Sequence, residues 1–243
     1  MAQWYKVHTQ ELIKRSVIPV NADAMAAPGL NKKEMVKQRR IRAYYDEETI
    51  TVYQAYNSEI SSTAVQQQKL VASPQFRLTR MTWIKPSWCW MMYRAGYSYK
   101  DKNQERILAL KMKHEHFIAL LRSATLAMEP SKGTALGHTA ETSKPPTEKS
   151  SAVKVQWDPE RTPRLEKLGY RSIQIGISSS LAATWADTWV VDIEDVTEKA
   201  RALEKELREN PEVTDEELLR KGLVPPEREF PVPLDVQQVI KVE

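Results

Sequence analysis

Between Arg80 and Gly96 the chain runs a strand-like stretch, a Pro-Ser break and a helix-like stretch, and loads them with Trp83, Trp88 and Trp90 beside Arg80, Lys85 and Arg94. Such a segment suits neither a core, which would exclude the cations, nor a fully wetted surface, which would expose the indoles and two methionines. It must form a wall with one apolar and one polar side. Pro86 fits a first helical turn and Gly96 a left-handed end, so a helix is predicted over 87–95. Cations interleaved with aromatic faces can hold an anion, a nucleobase or a sugar phosphate. The plainer reading is an amphipathic helix whose arginines snorkel to water.

The rest of the chain alternates short β-branched or aromatic runs with amphipathic stretches. Residues 41–45 and 50–56 flank Asp46-Glu47-Glu48 and read as a hairpin. A helix follows from Asn57 or Ser58 to about 70, then strands over 78–84 and 106–112 and a helix over 115–127. Residues 129–151 are rich in Pro, Ser, Thr, Lys and Gly and read as a flexible insertion. Strands over 153–157, 172–177 and 189–193, a helix near 179–188, a charged helical tail over 196–221 and an extended proline-marked segment complete the pattern. The expectation is one α+β domain over 35–243 with a mostly antiparallel sheet and flanking helices, preceded by a partly ordered arm over 1–34.

Of 243 residues, 41% are hydrophobic, which suffices for a substantial core. Charge is unevenly placed: residues 1–128 hold 20 basic and 10 acidic side chains, residues 129–243 hold 16 and 22. A basic half favours a polyanionic partner such as RNA, or a phosphorylated metabolite. No apolar run reaches the roughly 18 residues of a membrane span and no signal-peptide pattern is present, so a cytoplasmic protein without a membrane partner is expected. The single Cys89 forms no internal disulfide and reads as an inert thiol, and His114 and His116 lack metal-ligand spacing, so no metal is expected. Seven glycines, none spaced as a Walker or dinucleotide loop, argue against ATP or NAD as cofactor. Carboxylates at strand ends, Glu105 and the Asp158/Glu160 pair, are the candidate acid-base or guanidinium-binding groups, with structural ion pairs to Arg106, Arg161 or Arg171 as the plainer alternative.

The blocks 41–46, 52–56, 80–87, 90–94, 104–106, 155–161 and 171–176, in this order, resemble a family long labelled only as a domain of unknown function. Its fungal branch is similar to the arginine-containing cyclodipeptide synthases, which join arginine to a second amino acid from aminoacyl-tRNAs. The 129–151 insertion and Tyr97-Ser98-Tyr99-Lys100 are similar to that branch. The resemblance implies cyclo(Arg-Xaa) diketopiperazine formation for secondary metabolism, with tRNA charged with arginine, a second aminoacyl-tRNA and downstream tailoring enzymes as partners and no cofactor. Glu105, Asp158 and Glu160 would then be catalytic. Arg80, Lys85 and Arg94 would contact the tRNA acceptor end, Trp83 or Trp90 would stack on its terminal adenine, and Arg42, Tyr53, Gln104 and Arg171 would complete the binding set. Two other readings compete: an ADP-ribosyltransferase-like enzyme using NAD, with Arg42 or Tyr53 and Glu105 around the nicotinamide ribose, and an RNA-binding module without turnover.

Overall fold

In the computed structural model, residues 38–127 and 151–242 are described, so the predicted arm and nearly all of the predicted insertion lie outside the described residues. The elements are β1 (Arg42–Ala43), β2 (Thr49–Tyr56), α1 (Ser58–Gln67), β3 (Thr82–Ile84), α2 (Trp88–Ala95), β4 (Arg106–Lys113), α3 (His114–Arg122) and β5 (Ala124–Leu126). After the insertion come β6 (Val153–Arg161), β7 (Lys167–Ile177), α4 (Ser179–Thr184), β8 (Val190–Asp195), α5 (Thr197–Glu209), α6 (Asp215–Arg220), β9 (Arg228–Glu229) and α7 (Leu234–Ile240). This is an α+β domain with mostly antiparallel sheets.

One sheet runs β2-β4-β8 and another β3-β7-β6-β5, all antiparallel except β5 with β6. Their edges meet at a single bridge, where Tyr53 N–H donates to Lys85 O at 2.7 Å and Lys85 N–H to Tyr53 O at 3.2 Å. The strands therefore follow one another as β8-β4-β2-β3-β7-β6-β5.

Strand alternation divides the residues between the two faces. Ile50, Val52, Ile84, Leu108, Leu110, Val155, Ile173 and Ile175 turn to one face and join Phe117 and Leu120 of α3, Ile60 of α1 and Ile240 of α7 in the main core. On the other face Tyr53, Ile107 and Ala109 join Trp88, Met91 and Met92 of α2, Ala200 and Leu203 of α5 and Leu218 of α6. Helix α2 begins one residue later than predicted, with Ser87 as its cap accepting from Trp90 N–H and Pro86 just outside the first turn, while Gly96 adopts φ +56° and closes the last turn as expected.

Three expectations are corrected. The hairpin forms next to its turn, where the Asp46 side chain accepts from the Glu48 and Thr49 N–H groups, Tyr45 bridges Ile50 and Thr51 N–H donates to Tyr44 O at 2.9 Å, but it goes no further, because Arg42 and Ala43 of β1 pair with β9. The helix predicted to 127 stops at Arg122, because Ala124–Leu126 finds a parallel partner in β6. The segment after residue 221 is not simply extended, since it supplies β9 and α7, whose Val236 and Ile240 are fully buried. Among the described residues no helix is long and apolar enough to cross a membrane.

Candidate functional site

Three strands place their polar side chains on the face opposite the main core. Trp83 lies across from Gly176 and Gly176 from Lys154; Gln156 pairs with Gln174 and Asp158 with Ser172. Lys85, two residues beyond Trp83, falls on the same face. At Pro159, which has no N–H to give, the β6–β7 register shifts, and Glu160 follows at the irregularity. The result is a polar surface running from Trp83 to Glu160.

At the Glu160 end it leads into a cavity of about 270 Å³, lined among others by Arg42, Cys89, Glu160, Asp215, Glu216 and Glu227. The N-terminus of α2 faces its two enclosed carboxylates. Ser87 Oγ donates to Glu160 Oε1 at 2.9 Å, Arg161 N–H donates to the same oxygen at 2.8 Å, and Trp88 N–H donates to Glu227 Oε1 at 2.6 Å. The unpaired amides and the helix dipole favour negative charge there. Glu160 Oε2 is buried without a hydrogen-bond partner among the described residues, although Ser172 is close enough to favour its ionised form.

Enclosure outweighs these donors. Burial raises the Glu160 carboxyl against the pull of Arg161, Ser87, Ser172 and Arg42. Glu227 reaches the surface with part of its residue, but its carboxylate is enclosed and is pushed up to about 8, first by burial and then by the charge of Glu160. Glu227 therefore keeps its proton at neutral pH. Arg42 stays charged: burial opposes this, but the hydrogen bond to Tyr170 Oη at 3.1 Å and the charges of Glu227 and Glu160 outweigh it. Cys89 has its thiol pushed well up by burial and by Glu227, in keeping with an inert thiol.

Midway along the surface, Lys85 is 5% exposed and its ammonium donates to Trp83 O at 3.2 Å. Burial, and then the charge of Arg94, push it down to about 7, against the opposing pull of Asp158. A buried amine that releases its proton near neutrality is suited to general base work. Asp158 accepts from Gln156 Nε2 at 2.9 Å and from Gln174 Nε2 at 2.7 Å.

The structure thus brings Asp158, Glu160, Lys85, Trp83 and Arg42 onto one surface. Tyr53 lies on the same face but in its closed apolar part, across the bridge from Lys85, with its ring edge-on to Trp88 at 5.3 Å. Trp90 is 7% exposed and stacks on Tyr93, so its indole is enclosed rather than offered to a ligand. Arg94 donates to Gln104 Oε1 at 2.8 Å, and Arg171 donates to Trp157 O at 2.8 Å. Glu105 is not part of the Glu160 cavity; it accepts from the Ser58 N–H at 2.9 Å and from the Ser58 hydroxyl at 2.7 Å, at the start of α1. Arg80 borders a separate groove with Tyr56, Asn57, Arg77 and Asn103. Among the described residues no three His, Cys, Asp or Glu gather as metal ligands.

Sequence reasoning missed Glu227, Ser172, Gln156 and Gln174. Glu227 had one visible signal, its place directly after Pro225-Pro226, both of which line the cavity. No curated protein matches the sequence. Residues 40–230, most of the chain and all of the site just described, match the family described as Domain of unknown function (DUF4291), and the chain belongs to that family.

Proposed function

We propose that the chain is an aminoacyl-tRNA-dependent cyclodipeptide synthase that condenses arginine with a second amino acid into a cyclo(Arg-Xaa) diketopiperazine, a scaffold for downstream tailoring enzymes. The observation that supports this reading is the cavity in which Glu160 and Glu227 are enclosed with Asp215 and Glu216 among the other lining residues. At about 270 Å³ it lies just below the roughly 300–1,000 Å³ of sites for drug-sized ligands, which suits an amino-acid side chain. A guanidinium offers parallel N–H donors that match carboxylates, and its charge favours the ionised form of Glu227.

The chemistry needs little beyond positioning. An aminoacyl-tRNA ester is already activated: the amine of one aminoacyl group attacks the ester carbonyl of the other, a C–N bond forms, and the ribose hydroxyl leaves with a proton. A second, intramolecular aminolysis closes the ring and frees the remaining tRNA. Lys85, neutral in part at pH 7, takes the proton from the attacking ammonium, and Asp158 holds the surrounding amides. Glu105, standing apart, has no role in this scheme.

The test is expression in a host without such products, with labelled arginine fed and extracts read by mass spectrometry. A labelled cyclic dipeptide is expected, reduced at least about 100-fold in Glu160→Gln and Glu227→Gln if each removes a charged contact worth roughly 3 kcal/mol. No labelled product from soluble, folded protein, or undiminished product from both variants, would overturn the reading.

A further inference from the structure

At the end of the polar surface away from Glu160, the sheet is shaped to present a ring. The Trp83 indole approaches the backbone of Gly176 so closely that a Cβ there would stand 3.0 Å from the ring and 2.8 Å from Met81 Sδ. Only glycine lets the indole settle against the sheet at this point. Trp83 is nonetheless half-buried rather than enclosed, and so are Lys154, Gln156 and Gln174 around it. Lys154 has no ion-pair partner among the described residues.

The two glutamines are not free to turn. A carboxylate only accepts, so Asp158 draws the NH2 group of Gln156 onto one oxygen and that of Gln174 onto the other. Both side-chain carbonyl oxygens are thereby turned away from Asp158, and no donor among the described residues reaches them. A carboxylate between two amides whose acceptors it orients, an indole settled on the sheet and a cation alongside form a built arrangement, since amides unclamped by Asp158 could present either donor or acceptor.

We propose that this end of the sheet is a stacking platform for a nucleobase bearing an exocyclic amine, adenine or cytosine: the base lies on Trp83, its NH2 donates to Gln156 or Gln174, and Lys154 meets the adjoining phosphate. Asp158 is a positioning residue that fixes which edge is read. The inference deepens the function proposed above and rests on it only for the source of the base, the single-stranded 3′ end of the tRNA. Stacking of a base on an aromatic side chain contributes about 1–3 kcal/mol, roughly a 5- to 150-fold change in affinity.

The experiment titrates the full chain, by fluorescence anisotropy, with labelled RNA hexamers that are uncharged and therefore cannot react. One ends in CCA, one in UUU and one in CCI, where inosine replaces the terminal amine by a carbonyl. CCA is expected to bind at least about 10-fold more tightly than UUU, with CCI in between. Trp83→Ala should lose roughly 5- to 150-fold for CCA, Trp83→Phe should keep most of it, and Asp158→Ala should bring CCA and UUU together without abolishing either. Equal affinity for CCA and UUU, or unchanged CCA binding by a folded Trp83→Ala, would overturn the platform. The two proposals fail separately: selective binding by a chain that makes no cyclic dipeptide would keep the platform and lose the synthase. Product formed by Trp83→Ala with an unchanged KM for charged tRNA would do the reverse.

Discussion

One face of the strand series is treated in two ways. Over β2 and β4 it is apolar and closed, Tyr53, Ile107 and Ala109 packing beneath Trp88, Met91, Met92, Ala200 and Leu203. Over β3, β7 and β6 it is polar and partly open, carrying Trp83, Lys85, Gln156, Gln174, Asp158 and Glu160. Helix α2 stands at the boundary: its Trp88 side chain fills the closed half while the Trp88 N–H and the Ser87 hydroxyl face the carboxylates of the open one. The contrast separates two tasks. Burial on the closed half and in the main core secures the fold, which lets the open half hold groups in unfavourable protonation states, a net cost that a site exists to bear.

The largest expected break of this contrast is Trp88→Ala. The residue is 1% exposed, and its removal should lower the unfolding free energy by about 3–5 kcal/mol in urea titration. A loss under about 1 kcal/mol would mean that the closed half is not held by packing.

The contrast is sharpened next by pH. The Glu227 carboxyl, pushed up to about 8, contributes stability that is complete below the ordinary carboxylate range and is lost as pH rises through about 8. Lys85, pushed down to about 7, contributes stability that is complete above the ordinary lysine range and is lost as pH falls through about 7. Glu227→Gln should therefore gain on the wild type toward about pH 9 and Lys85→Met toward about pH 6, each with a limiting slope of roughly 1.4 kcal/mol per pH unit. Urea midpoints across this range check the signs, and two flat difference profiles would remove the open half's distinction.

The smallest expected effect is at Gly176. Gly176→Ala should cost about 1–2 kcal/mol and lift the indole from the sheet, while the same change in a Trp83→Leu background should cost less. Equal losses in the two backgrounds would show that the ring does not depend on this glycine.

Much of the open half was legible in the residues. The β-branched runs located β2 and β7, the apolar run 107–112 located β4, and Ser87 with Gly96 bounded α2, because propensity and capping act locally. That Trp83 and Lys85 share a face follows from strand alternation alone. Which strands lie beside them does not, so the clamp of Asp158 on Gln156 and Gln174 could not be read. Arg42 and Glu227 meet because β1 pairs with β9 across most of the chain, a pairing that long-range packing decides. The weight given to Glu105 came from its strand-end position, which served equally well for capping α1.

The bridge between Tyr53 and Lys85 makes the two halves a coupled pair of plates sharing one narrow seam. Lys85 belongs to the seam through its backbone and to the polar surface through its ammonium. Closing the seam and enclosing the amine are thus tasks of one and the same residue.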